Sequence, residues 1–189
     1  MNTETLILIL IAVAVLIVVG LIALIAMRWT RSRKLREKFG PEYDYTIEKV
    51  GDRRSAEETL EEREKRVNQL AIRDLDSHER DRYHTDWTEI QAEFVDEPPK
   101  AVEGANRLIT EVMIARGFPV ADFEQRAADI SVIYPDLVSN YRNAYAIAVK
   151  SQNNGTSTED LRQAMVYYRS LFEELLGTEE IKEKEVTAQ

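Results

Sequence analysis

From Leu6 to Met27 the chain runs for 22 residues without a charge or a polar side chain; 21 of them are apolar and the other is Gly20. As a helix rising about 1.5 Å per residue, such a run reaches about 33 Å, enough to cross a hydrocarbon core of roughly 30 Å. A soluble buried helix is a poor alternative, because a segment apolar on every side leaves water no face to solvate. A cleaved signal peptide would open with positive charge, carry a shorter apolar region and close on a small-residue cleavage site. Here the leader, residues 1–5, is Met1-Asn2-Thr3-Glu4-Thr5, and the basic residues come after the run. The expectation is a transmembrane helix over 6–27.

Six basic residues, Arg28, Arg31, Arg33, Lys34, Arg36 and Lys38, follow within the juxtamembrane segment 28–38, against one acid, Glu37. By the positive-inside rule this flank places the C-terminal side in the cytoplasm and the N-terminus outside. Trp29 sits at the same boundary, where an indole keeps its ring among headgroups and its N–H wet. The flank serves first as a topology signal, and the same charges attract anionic headgroups. The chain has no Cys, which agrees with a reducing compartment.

Beyond Lys38 the balance inverts. Residues 39–189 hold 19 basic and 32 acidic side chains, a net charge of −13. A domain so charged is repelled by nucleic acid, so no nucleic-acid partner is expected, and it stands off an anionic bilayer. From Arg28 onward roughly 38% of residues are apolar, low for a compact domain, so any core must be assembled from amphipathic elements.

Caps and turns then divide the chain. Gly40-Pro41 ends one helix and opens another, Gly51 closes that, and Ser55 with Glu58 reads as a capping box. From there to Leu70 the chain is charge-laced, with Glu61/Lys65 and Glu62/Arg66 at i,i+4 and a thin apolar stripe of Ala56, Leu60, Val67 and Leu70; residues 39–75 are expected to form a charged helical stalk. Asp76 or Ser77 caps a helix bearing Tyr83, Trp87, Ile90 and Phe94 on one face. A five-residue connection around Pro98-Pro99 leads to an antiparallel partner ending at Gly117, with Ala101, Val102, Ala105, Leu108, Ile109, Val112 and Met113 facing inward. A shorter helix carries Phe123, Ala127 and Ile130, and another Val138, Tyr141, Tyr145 and Val149. Ile130 to Tyr134 is the one stretch where a strand could hide, without a partner elsewhere. Ser157 and Asp160 cap the last helix, which Gly177 stops. The fold expected is all-α: one N-terminal transmembrane helix, then a small cytoplasmic helical bundle over 76–177, with an acidic disordered tail over 178–189.

Most chemistry is absent from the residue inventory. Without Cys there is neither thiol nucleophile nor thiolate metal site, and the seven glycines are too scattered to cradle phosphate. His78 and His84 are six apart, on different faces of a helix, so no metal site and no cofactor are expected. Asp81 and His84 sit at i,i+3, a single pair where a di-iron bundle needs two. The densest polar group is Glu124, Gln125, Arg126, Asp129 and Ser131 with Tyr141 and Arg142. Turned inward, Glu124, Arg126, Asp129, Tyr141 and Arg142 would build a ligand or partner site at a helix junction. Turned outward, Arg126 and Asp129 would form an ordinary i,i+3 surface pair while Asp122 capped the helix. Tyr167 and Tyr168 follow the apolar period and are expected to pack rather than to stack on bases. Asn154-Gly155-Thr156 has the glycosylation pattern but would be a simple turn in the cytoplasm.

The run Phe39-Gly40-Pro41-Glu42-Tyr43-Asp44 behind an apolar helix and basic flank, with Trp87, Gln91, Phe94-Val95-Asp96, Phe123 to Asp129, Tyr141-Arg142, Asp160 to Met165 and Tyr168-Arg169, resembles an uncharacterised family of small bacterial single-pass membrane proteins. The likeness extends over most of residues 39–176. It implies a bacterial inner-membrane setting and brings no activity, cofactor or site residue with it. Two functional expectations follow. One is a non-enzymatic, membrane-tethered helical domain docking a partner protein at the cytoplasmic face. The other is a small-ligand sensor or enzyme working from the polar cluster.

Overall fold

The computed structural model describes residues 3–119, 121–152 and 155–177, with side chains from Val15 onward, and these residues form eight helices and no strand. The expected acidic tail, 178–189, lies outside them. They are α1 (Thr3–Phe39), α2 (Pro41–Val50), α3 (Arg53–Val67), α4 (Ser77–Asp96), α5 (Pro98–Ala115), α6 (Phe123–Ile133), α7 (Val138–Ser151) and α8 (Thr158–Leu176). The stretch in which a strand might have hidden is helical as far as Ile133. Two compact units divide between Leu60 and Glu61, inside α3.

In the N-terminal unit, α1 is long and apolar enough to cross a membrane. Its large apolar side chains from Val15 to Met27 are all exposed, Leu16 at 70% and Met27 at 68%. Leu35 and Phe39 at the far end of α1 are instead buried, as are Tyr43 of α2 and Ala56 and Leu60 of α3. Gly40 and Gly51 bracket α2 with positive φ, and the Gly51 N–H bonds the Ile47 carbonyl. The cap of α3 differs from expectation. The helix starts at Arg53, two residues before Ser55, because Asp52 accepts from both the amide and the hydroxyl of Ser55, at 2.9 and 2.8 Å. An aspartate three residues before a serine outcompetes the Ser55/Glu58 box, since its carboxylate takes two donors.

In the C-terminal unit, α4 pairs with α5, α5 with α8 and α8 with α7, while α6 lies against α7. The α4–α5 connection is one residue, Glu97, rather than five, because Pro98 already occupies the first turn of α5. Lys100 to Glu93 at 2.6 Å closes the corner. Asp76 and Ser157 form the capping boxes of α4 and α8. The core gathers Tyr83, Trp87, Leu108, Val112, Leu171 and Leu175, with Phe94 packed against it. On α7 the inward face is Val138, Tyr141, Ala144 and Ala148, whereas Val149 is 42% exposed. The 3.6-residue period runs through the alanines, which an eye for large side chains passes over.

Candidate functional site

The polar residues singled out between α6 and α7 separate into three pairings. Asp122 caps α6 by accepting from the Gln125 amide at 2.9 Å. Arg126 donates from Nε to the Tyr141 hydroxyl at 3.2 Å and from Nη1 to the Ala121 carbonyl at 2.5 Å. Burial pushes the Tyr141 hydroxyl above its usual pKa, and the Arg126 hydrogen bond offsets part of that rise. Asp129 is 1% exposed and accepts from Arg66 Nη2 at 2.6 Å, Arg66 Nε at 3.1 Å and Gln125 Nε2 at 2.9 Å. Arg142 meets Glu124 at 3.5 Å. The surface pair expected between Arg126 and Asp129 is therefore replaced: Asp129 points inward to a cation 63 residues away. Arg66, in turn, reaches Asp129 instead of Glu62.

Around Tyr141 the surroundings are aromatic. Its ring is edge-on to Tyr168 at 6.2 Å, and Phe123 stacks on Tyr145 at 3.6 Å. Tyr168 is fully buried, its hydroxyl has no hydrogen-bond partner, and burial drives its pKa up. The half-buried guanidiniums of Arg66 and Arg126 bond the buried Asp129 carboxylate and Tyr141 phenol and so tie α3, α6 and α7 together, while the Tyr168 hydroxyl and Arg142 Nε stay unsatisfied.

Two further networks were not foreseen from the sequence. Arg116 is 9% exposed and donates to the Arg73 carbonyl at 3.1 Å, the Tyr134 hydroxyl at 2.6 Å, the Leu175 carbonyl at 3.1 Å and Asp74 at 3.3 Å. Five N–H donors in a rigid fork suit one residue to join the ends of α5, α6 and α8 to the 68–76 segment. The second centres on Glu57 in the N-terminal unit, which accepts from the Ser32 hydroxyl at 2.6 Å, the Tyr43 hydroxyl at 2.7 Å and Arg53 Nε at 3.1 Å. Burial pushes this carboxyl up, but the three hydrogen bonds together hold it below the ordinary carboxylate pKa. The sequence signal was available in principle, since Tyr43 and Arg53 flank a Gly51 turn, yet the partner in α1 was not.

Two of the surface grooves combine apolar with charged side chains. One, of about 170 Å³ on the C-terminal unit, has Trp87, Phe94, Met165 and Val166 as its apolar lining and Gln91, Arg162 and Arg169 at its edge. Trp87 stacks from beneath on Phe172, ring centroids 4.8 Å apart. The other, of about 570 Å³ on the N-terminal unit, is lined by Arg28, Trp29, Arg31, Ser32, Arg53 and Arg54, with Ile25, Asp52 and Glu57 completing it. Among the described residues no group of three or more His, Asp or Glu is arranged for a metal ion, and His78 and His84 are both exposed. Comparison with family models, with curated proteins and with solved structures finds no match to the chain.

Proposed function

We propose that this chain is a non-enzymatic, membrane-tethered helical domain that docks a partner protein at the cytoplasmic face of a bacterial inner membrane. The observation that carries this reading is the α4–α8 groove. It combines a tryptophan, a phenylalanine and a methionine with two arginines of α8, residue types enriched at protein interfaces. Arg162 and Arg169 are held by Glu159 at 2.6 Å and Glu173 at 2.7 Å, pairs exposed on both sides. Such exposed pairs are worth about 0 to 1 kcal/mol, so carboxylates of a partner can displace them. The groove therefore suits a protein segment bearing an apolar side chain between acidic ones.

The exposed apolar stretch of α1 and the basic flank behind it support the tether and its orientation. Confinement beside the bilayer raises the domain's effective concentration toward other membrane proteins. A sensor or enzyme built on Arg126, Asp129 and Arg142 needs those groups turned to a ligand, whereas they bond to Tyr141, Arg66 and Glu124.

Val166 is 47% exposed, so Val166→Asp places a like charge in the groove without opening the core. The full chain, cross-linked in membranes and isolated in detergent, should retain its partner, and Val166→Asp should lose it while a fluorescent reporter after Gln189 stays active in the cytoplasm. A partner retained equally by both forms overturns the groove. An active periplasmic phosphatase fused at the same place overturns the orientation.

A further inference from the structure

We infer that the groove between α1 and α3 is a binding site for the headgroup of an anionic phospholipid, an inference that rests on the membrane-tethered reading above. A basic flank directly behind an apolar helix is ordinarily a topology signal, and Arg28 and Arg31 need no other explanation. Arg53 and Arg54 do. They lie beyond the 15 to 20 residues over which flanking charge sets orientation, and the fold brings them back to the same groove as Arg28 and Arg31.

The return is fixed by Glu57, whose bonds to Ser32 of α1, Tyr43 of α2 and Arg53 hold the start of α3 against the end of the apolar run. Both acids of the groove are engaged elsewhere: Glu57 in that network, Asp52 in the cap on Ser55. Four guanidinium groups line the groove beside two carboxylates; Arg53 is one of the donors to Glu57, and Arg54 is held by an exposed pair with Glu58 at 3.2 Å that a phosphate can displace. The Arg53 and Arg54 side chains are 65% and 80% exposed, so they reach a ligand without unfolding anything.

The chemistry recognised is a phosphate monoanion, for which several guanidinium forks are the natural partners. Its source is a lipid because the groove is amphipathic along α1. Ile25, 55% exposed and within the apolar run, forms one end, and Trp29, 77% exposed, lies at the boundary. An acyl chain beside Ile25 carries its phosphate to the level of Arg28, Arg31, Arg53 and Arg54. Tight headgroup binding there also balances the acidic remainder of the chain, which an anionic surface repels.

The test uses the full chain in a nonionic detergent, with native mass spectrometry resolving its lipid-bound states. Dioctanoyl phosphatidylglycerol should bind about thirtyfold more tightly than dioctanoyl phosphatidylcholine, given about 1 kcal/mol for each of Arg53 and Arg54 near a headgroup. Inorganic phosphate at the same concentration should not displace it. Arg53→Gln with Arg54→Gln should remove that preference, whereas Lys34→Gln with Lys38→Gln, the same loss of charge outside the groove, should preserve it. Arg54→Gln alone, which leaves the Glu57 network intact, should weaken binding severalfold with unchanged helical circular dichroism. Equal losses in the two double variants would mean a diffuse field and overturn the site, as would equal binding of the two lipids. Displacement by phosphate would overturn the lipid assignment. A chain extracted from membranes by alkaline carbonate would defeat the tethered reading itself, a result distinct from normal insertion with indiscriminate lipid binding.

Discussion

Arg66 at the end of α3 sets its Nη2 2.6 Å from Asp129 Oδ1 in α6, and the two side chains are unequally exposed, 39% and 1%. The burden of desolvation falls on the carboxylate. Arg66 Nε and Gln125 Nε2 supply its remaining donors, so the charge is buried only because three N–H groups surround one oxygen.

Arg66→Ala should therefore cost about 3 kcal/mol, the lower end of what breaking a buried pair costs, because its own side is half open. Urea denaturation of the full chain in detergent, followed by circular dichroism, measures it. A cost under about 1 kcal/mol would place the pair among ordinary surface contacts.

Trp87→Ala should cost about 3 to 5 kcal/mol, a large share of the 5 to 15 available to a domain of this size. The indole is buried at 4% exposure and stacked on Phe172, with planes 17° apart. Trp87→Phe should recover more than half of the loss, since a ring remains to stack. Similar losses in the two variants would show that the stack is incidental.

Periodicity and caps made most helices readable: the inward residues expected of α5 are buried, and Asp76, Ser157, Gly51 and Gly177 stand at their expected caps. These signals are local, each carried by residues within a turn of one another. The candidate site was less legible because its bonds are not local. Arg126 meets Tyr141 and Glu124 meets Arg142 across α6 and α7, but Asp129 takes its cation from α3, folded back from far upstream. Spacing on α6 suggested Arg126 for Asp129, and the actual cation comes from a stretch whose charges pointed to solvent. Arg116 and Glu57 were overlooked for the same reason, since nothing next to either residue signals a buried hub.

Gly117 has φ +96°, and a Cβ there would lie 2.5 Å from the Ala71 carbonyl oxygen. Gly117→Ala should cost about 3 kcal/mol, adding the left-handed backbone penalty to an unavoidable clash. Gly51, at φ +81° with nothing within 4 Å, carries only the first of these, so Gly51→Ala should cost about 1 kcal/mol. Thermal denaturation of the two variants side by side tests the difference, and equal shifts would refute the close approach of the 68–76 segment.

The Arg73 guanidinium grips both oxygens of Glu79, at 2.6 and 2.8 Å, and the Asp76 amide adds a third bond. These hold the Glu79 carboxyl at about 2 against an ordinary 4.5. A depressed pKa means that the ionised form favours the folded state, so this contribution is complete above about pH 4.5 and fades as pH falls toward about 2. Melting temperatures measured across that window should fall less steeply for Glu79→Gln than for the parent chain. Parallel curves would count against the pairing.

Tyr141 and Tyr168, edge-on to each other and both fully buried, differ in one respect: the Tyr141 hydroxyl has Arg126 and the Tyr168 hydroxyl has no partner. Deleting them should move stability in opposite directions. Tyr141→Phe should lose about 1 kcal/mol with its hydrogen bond, while Tyr168→Phe removes an unsatisfied group and should gain up to about 1. Arg126→Ala strands the Tyr141 hydroxyl as Tyr168 is already stranded, at about 1 to 3 kcal/mol, and adding Tyr141→Phe should restore part of that. Chemical denaturation of the four variants decides the matter. A Tyr168→Phe chain less stable than Tyr141→Phe would show that Tyr168 carries a hydrogen bond of its own.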